Sequence, residues 1–101
     1  MTYSVKILPT AWEDLKTIED WYLVQFGVDA ALKVITHILG TIERLEQYPD
    51  SGSQTSDKWL NEQDYRMVIC DKHIAVYKLT HTTVFIHHIA DMQTEYTKLF
   101  Y

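Results

Sequence analysis

Apolar and polar residues alternate from Tyr3 to Ile7, which predicts a first β-strand. Pro9 ends that period. Thr10 with Glu13 three residues on has the spacing of a capping box and predicts Thr10 as the N-cap of a helix. Ala11, Leu15, Ile18 and Tyr22 then recur at helical spacing and form one apolar stripe, with Gly27 where a C-cap glycine belongs. Asp29 offers the next N-cap. Ala31, Val34, Ile35, Ile38, Leu39, Ile42 and Leu45 draw a wider apolar face, which Pro49-Asp50-Ser51-Gly52 terminates. Residues 50–63 are polar apart from Trp59-Leu60 and read as a surface loop with one anchoring contact. Three β-branched and aromatic runs follow, at 64–70, 73–79 and 83–89, with only two or three polar residues between them. Such short gaps predict an antiparallel meander. A short aromatic tail, Thr94 to Tyr101, closes the chain.

The two helices are joined too closely to be anything but an antiparallel hairpin, and neither buries its stripe alone. The sheet is their partner. The expected fold is α+β in one domain over residues 1–101: an N-terminal strand, an antiparallel helical hairpin, a three-stranded antiparallel meander and a short C-terminal helical tail, with the helices on one face of the sheet.

Charge changes the functional picture more than composition does. Lys and Arg total 9 against 14 Asp and Glu, for a net charge of −5. The excess of acid lies mainly in the helical half. Free binding to DNA or RNA needs a basic footprint, and the chain lacks one, so contact with nucleic acid is expected only inside a larger assembly. No apolar stretch approaches a membrane span and no signal-peptide core follows Met1, which points to the cytoplasm. Cys70 is the only cysteine; inside an apolar strand it reads as a small core hydrophobe rather than a nucleophile.

Five segments carry a likeness to a known family: Leu45 to Gly52 at the helix exit, Tyr65-Arg66-Met67-Val68, Val76-Tyr77-Lys78-Leu79, Val84 to Ile89, and Glu95-Tyr96-x-x-Leu99-Phe100. With these in this order the chain resembles, over essentially its whole length, the RelE/ParE superfamily of type II toxin–antitoxin toxins. The tail is more similar to the ParE branch, in which an Arg-x-Asp-Tyr type sequence follows the last strand. Glu95-Tyr96 occupies the acidic-aromatic pair, and Gln93 stands where the basic residue would be. The resemblance implies growth arrest by poisoning DNA gyrase, with a cognate antitoxin holding the protein inactive. The alternative it implies is a ribosome-dependent mRNA endoribonuclease of RelE type, and the Gln93 departure adds a third, a folded homologue that binds antitoxin but has lost toxicity. Expected partners are therefore the antitoxin and either gyrase or the ribosome, with no membrane and no cofactor; a homodimer is compatible with all three.

Candidate residues divide by mechanism. As a ribonuclease the protein would use Arg66 on the phosphate and His87 or His88 to move protons, since RNA cleavage by the 2′-hydroxyl needs both kinds of group. Adjacent residues of a strand point to opposite faces, so at most one of the two histidines is expected beside Arg66. Only Lys58, Lys72 and Lys78 could add positive charge. As an interaction toxin it would use Arg66, Trp12, Trp21, Gln93, Tyr96 and Phe100 toward target or antitoxin. Trp12 and Trp21 fall off the Leu15/Ile18/Tyr22 stripe; a broad buried helix face is weighed slightly above an exposed interface for them. The antitoxin segment is expected to be acidic. No metal is expected, because no His-x-x-x-His or Cys-x-x-Cys spacing occurs.

Overall fold

The structure, a computed structural model, describes residues 2–93 and 96–100, without the side chains of Tyr96 and Thr97. Strand β1 (Ser4–Ile7) leads into helices α1 (Pro9–Phe26) and α2 (Val28–Glu43), the latter extended by a 3-10 turn, Arg44–Glu46. A short helix α3 (Lys58–Glu62) precedes strands β2 (Tyr65–Cys70), β3 (His73–Thr80) and β4 (Thr83–Asp91), and a second 3-10 turn spans Tyr96–Phe100. The fold class and the order of elements are as expected from the sequence.

Local capping departs from the expectation twice. Pro9 sits at the first helical position, where its missing N–H costs nothing, so α1 begins with Leu8 as N-cap. That frees the Thr10 hydroxyl, which donates to the His87 carbonyl at 2.7 Å. Likewise Asp29 lies inside the first turn of α2, and Gly27 caps both helices. Its φ of 94° is a left-handed value that glycine reaches without steric cost, and it lets the chain reverse at once. The third departure is α3. The Asp57 carboxylate accepts from the Leu60 N–H at 3.0 Å, and Asn61 reaches back to Thr55, turning part of the expected loop into a capped helical turn over buried Leu60.

The sheet has the order β1-β4-β3-β2. β2, β3 and β4 form the antiparallel meander, while β1 pairs parallel to β4 from Ser4↔Thr83 to Ile7↔Ile86. Alternation along β3 divides the core. Ala75 and Tyr77 join Val84 and Ile86 beneath Ala11, Leu15, Ile38, Ile42 and Leu45, whereas Ile74 and Val76 face the other way toward Leu60, Tyr65, Met67 and Phe100. One irregularity breaks the pattern. Val76 pairs with His88 but Tyr77 pairs with Ile86, so His87 is the extra residue of a β-bulge.

Candidate functional site

Three regions concentrate the chemistry. On the helix side of the sheet, Arg66 is directly opposite Tyr77 in the β2–β3 register. Tyr77 is fully buried; its hydroxyl donates to the Pro49 carbonyl at 2.7 Å and accepts from the Gly52 N–H at 3.0 Å. Burial pushes the Tyr77 phenol above its ordinary pKa, so it stays neutral. Arg66 donates from one guanidinium nitrogen to the Gly52 carbonyl at 3.1 Å. Together the two side chains pin the loop that leaves α2.

The opposite face holds the histidines. The bulge resets the alternation, so His87 and His88 do not diverge as a regular strand would require: both rings lie against Phe100, at centroid distances of 6.3 and 5.0 Å. His87 also meets the Tyr65 ring edge-on at 4.9 Å, and the Lys78 ammonium stands 5.2 Å from the same tyrosine ring. Burial holds His87 below its ordinary pKa, and neighbouring His88 and Lys78 push the same way. His88 Nδ1 is 2.9 Å from an Asp14 carboxylate oxygen. Arg66 shares its face with neither histidine. The set that RNA cleavage would require is divided by the thickness of the sheet.

Asp14 belongs to the third region, the edge of β4. β1 covers this edge only as far as Ile86, and α1 takes over beyond it. Thr10 satisfies the His87 carbonyl, and the Asp14 carboxylate accepts from the Ile89 N–H at 3.0 Å. A helix side chain thus stands in for a missing strand. Sequence reasoning missed Asp14, although a signal existed: a carboxylate three residues after Ala11 and four before Ile18 lies on the buried stripe itself.

Past Asp14, α1 and the end of β4 diverge into a groove of about 1390 Å³. Ile18, Trp21, Tyr22, Ile89 and Met92 supply apolar walls, and the tail contributes Leu99. The polar lining includes Asp14, Asp71 and Asp91, with Lys72 as the one Lys or Arg among the described lining residues. His73 is buried at its floor, its ring 6.0 Å from that of Tyr22, and burial lowers its pKa.

The remaining candidates are dispersed. Trp12 and Trp21 are 51% and 54% exposed, so the broad buried helix face expected for them is not what forms. Trp21 packs edge-on against Tyr22 and Phe26. Gln93 is exposed at the groove, its N–H bonded to the Asp91 carboxylate. It lies at the opposite end of the meander from Arg66, on the order of 15 Å along the strands. Phe100 covers the histidine face. Glu95, Tyr101 and the side chain of Tyr96 lie outside the described residues. Burial raises the pKa of the Cys70 thiol, which keeps it protonated and inert. Among the described residues no cluster of three His, Cys, Asp or Glu could hold a metal ion, and no helix is long and apolar enough to cross a membrane.

Comparison with known proteins decides the family. The family model described as the ParE toxin of type II toxin-antitoxin system, parDE, matches residues 5–96. The chain belongs to the ParE toxin family. It is accordingly the toxin component of a type II toxin–antitoxin system, held in check by an antitoxin. Its fold is similar to that of a solved chain from the chromosomal ParDE TA system of P. aeruginosa, with a TM-score of 0.77, 22% identity, and coverage of 89% of this chain and 96% of that one. A chain of the RelBE2 toxin-antitoxin complex from Mycobacterium tuberculosis has the same fold at a TM-score of 0.67 and 16% identity, covering 90% of this chain and 99% of that one. No curated protein matches the toxin in sequence.

Proposed function

We propose that the toxin arrests growth by inhibiting DNA gyrase, without cutting RNA. The observation that carries this reading is the separation of Arg66 from His87 and His88 across the sheet. Phosphoryl transfer needs a cation and proton-moving groups converging within hydrogen-bond reach of one reacting centre. Here the guanidinium, which gives one of its N–H groups to the Gly52 carbonyl, stands on the helix side, and the histidines are packed under Phe100 on the other. The net charge of −5 also leaves little to hold a free RNA strand. Membership of the ParE family supports gyrase as the target. Arg66, on the outer strand β2, is the residue assigned to the gyrase contact.

Induction in cells with parallel labelling by thymidine and methionine tests the proposal. DNA synthesis is expected to stop first while translation continues, and the purified toxin is expected to inhibit gyrase supercoiling and leave mRNA on stalled ribosomes intact. Prompt translational arrest with cleavage at the ribosomal A site overturns it. Gln93 favours one further reading, a toxin that has lost its activity. That reading predicts no effect in either assay, and recovery of gyrase inhibition in Gln93→Arg.

A further inference from the structure

Contacts from two strands converge on Gly52, in the turn that leaves α2. Its N–H donates to the Tyr77 hydroxyl at 3.0 Å, and its carbonyl accepts from an Arg66 guanidinium nitrogen at 3.1 Å. The Tyr77 hydroxyl donates in turn to the Pro49 carbonyl at 2.7 Å, so one oxygen ties both ends of the segment from Pro49 to Gly52. The Ser51 N–H donates to the Tyr48 carbonyl at 3.1 Å and closes the turn from within. Ser53 then exchanges both backbone hydrogen bonds with Met67, each at 2.9 Å, which laces the turn to β2 next to Arg66. The fit is tight. A Cβ on Gly52 would overlap the fully buried Tyr77 hydroxyl and stand 2.7 Å from the Met67 carbonyl oxygen. Close approach is what requires glycine at this position. A phenylalanine at 77 would fill the same space, so the hydroxyl adds only its two bonds to the turn. Those bonds fix the Gly52 peptide plane and, through its carbonyl, the Arg66 side chain.

We infer that Tyr77 is a positioning residue for toxicity: by clamping the Gly52 peptide it holds the Arg66 guanidinium in the orientation that meets gyrase. This role rests on the reading of Arg66 as the gyrase contact. An arginine side chain has several rotatable bonds, and freezing them on binding lowers affinity. A charged hydrogen bond already made in the free toxin removes part of that cost before the target arrives. The guanidinium is planar and carries five N–H donors in a fixed fork. One bond to Gly52 therefore sets its plane and leaves further donors for an acceptor on the target. Tyr77 does not touch the target in this scheme; it acts through Gly52.

The experiment compares purified toxin variants as inhibitors of gyrase supercoiling, at a temperature where each is folded by circular dichroism. Tyr77→Phe is expected to raise the half-inhibitory concentration about tenfold, because an ordered contact becomes a mobile one. Gly52→Ala should act in the same direction from the other end of the bond. Ile38→Val, in the core beneath the helices, lowers stability without removing a bond to the turn and should leave inhibition unchanged. The order of the Arg66 side chain, read by 15N relaxation at Nε, separates orientation from stability. It should be restricted in the wild type and in Ile38→Val, and mobile in Tyr77→Phe. Wild-type inhibition by folded Tyr77→Phe overturns the inference, as does lost inhibition with Arg66 still ordered. An Arg66 Nε that is fully mobile in the free wild-type toxin also overturns it, whatever the variants do. Arg66→Ala tests the premise: full inhibition by that variant, or none by the wild type, overturns the gyrase reading itself, a distinct result.

Discussion

The helix side of the sheet buries Ala75, Tyr77, Val84 and Ile86 beneath two long helices, while the other side sets Ile74 and Val76 beneath one short helix and a tail. The same two-residue alternation produces both. On the helix side the cover is thick, and the buried Tyr77 hydroxyl has both a donor and an acceptor to meet it. On the other side the cover is thin, and Tyr65, His87 and His88 gather around the Phe100 ring, with Lys78 over the ring of Tyr65. Stability is concentrated on one face and adaptable chemistry on the other. The β4 edge, where the two meet, is closed by Thr10 at His87 and by Asp14 at Ile89, and past Ile89 no other element continues the sheet among the described residues.

The sharpest test of this contrast is paired truncation. Ile42→Ala removes a side chain that is 2% exposed under the helices and should cost about 2–5 kcal/mol. Phe100→Ala on the half-covered face should cost about 1 kcal/mol, in line with partial burial. Equal losses in urea denaturation would show that the two faces contribute alike. Tyr77→Phe comes next. It leaves the Pro49 carbonyl and the Gly52 N–H without their partner, for a cost of about 1–3 kcal/mol with little change in volume, measurable by the same melts.

Arg66→Ala separates function from stability. The loss of one charged hydrogen bond to the Gly52 carbonyl should cost about 1–2 kcal/mol. For a domain of this size each 1 kcal/mol lowers Tm by about 4–8 °C, so a larger shift is expected than for a free strand side chain. Growth inhibition should nevertheless be abolished while the protein stays folded by circular dichroism. Full toxicity in a folded variant would place the target surface away from the β2 edge.

The smallest effect is a pH dependence confined to the histidines. Burial lowers the folded-state pKa of His87 and of His73 below the unfolded value of about 6.5. Between the depressed pKa and 6.5 the unfolded chain binds more protons, so stability is complete above 6.5 and falls as the pH drops toward the folded-state pKa. Urea melts at pH 7.5 and pH 5.5 should show this loss, and His87→Gln should reduce it. A flat profile in the wild type would mean that neither imidazole is desolvated.

Much of this molecule is legible in the chain itself. The α1 and α2 stripes, the three meander strands and the Gly27 reversal follow from period, propensity and a backbone angle, all properties of near neighbours. The family likeness was legible for the same reason, since it rests on short segments in order. What the sequence misplaced was decided by neighbours distant along the chain. Thr10 bonds the His87 carbonyl across a separation of 77 residues, and Asp14 bonds His88 and Ile89 across 74 and 75.

The parallel partnership of β1 with β4, the bulge at His87 and the groove beyond Asp14 have the same origin. A bulge shifts which face a side chain occupies without changing the hydrophobic pattern of its own strand, so the pair His87-His88 looked divergent and is not. A strand edge has no pattern of its own at all; whether Ile89 to Asp91 is covered depends on where β1 stops and where α1 turns away. The period of apolar residues along this chain determined its elements and their burial. Only the packing of α1 against β4 decided which polar groups meet, because hydrogen bonds between elements are settled by register and distance in space.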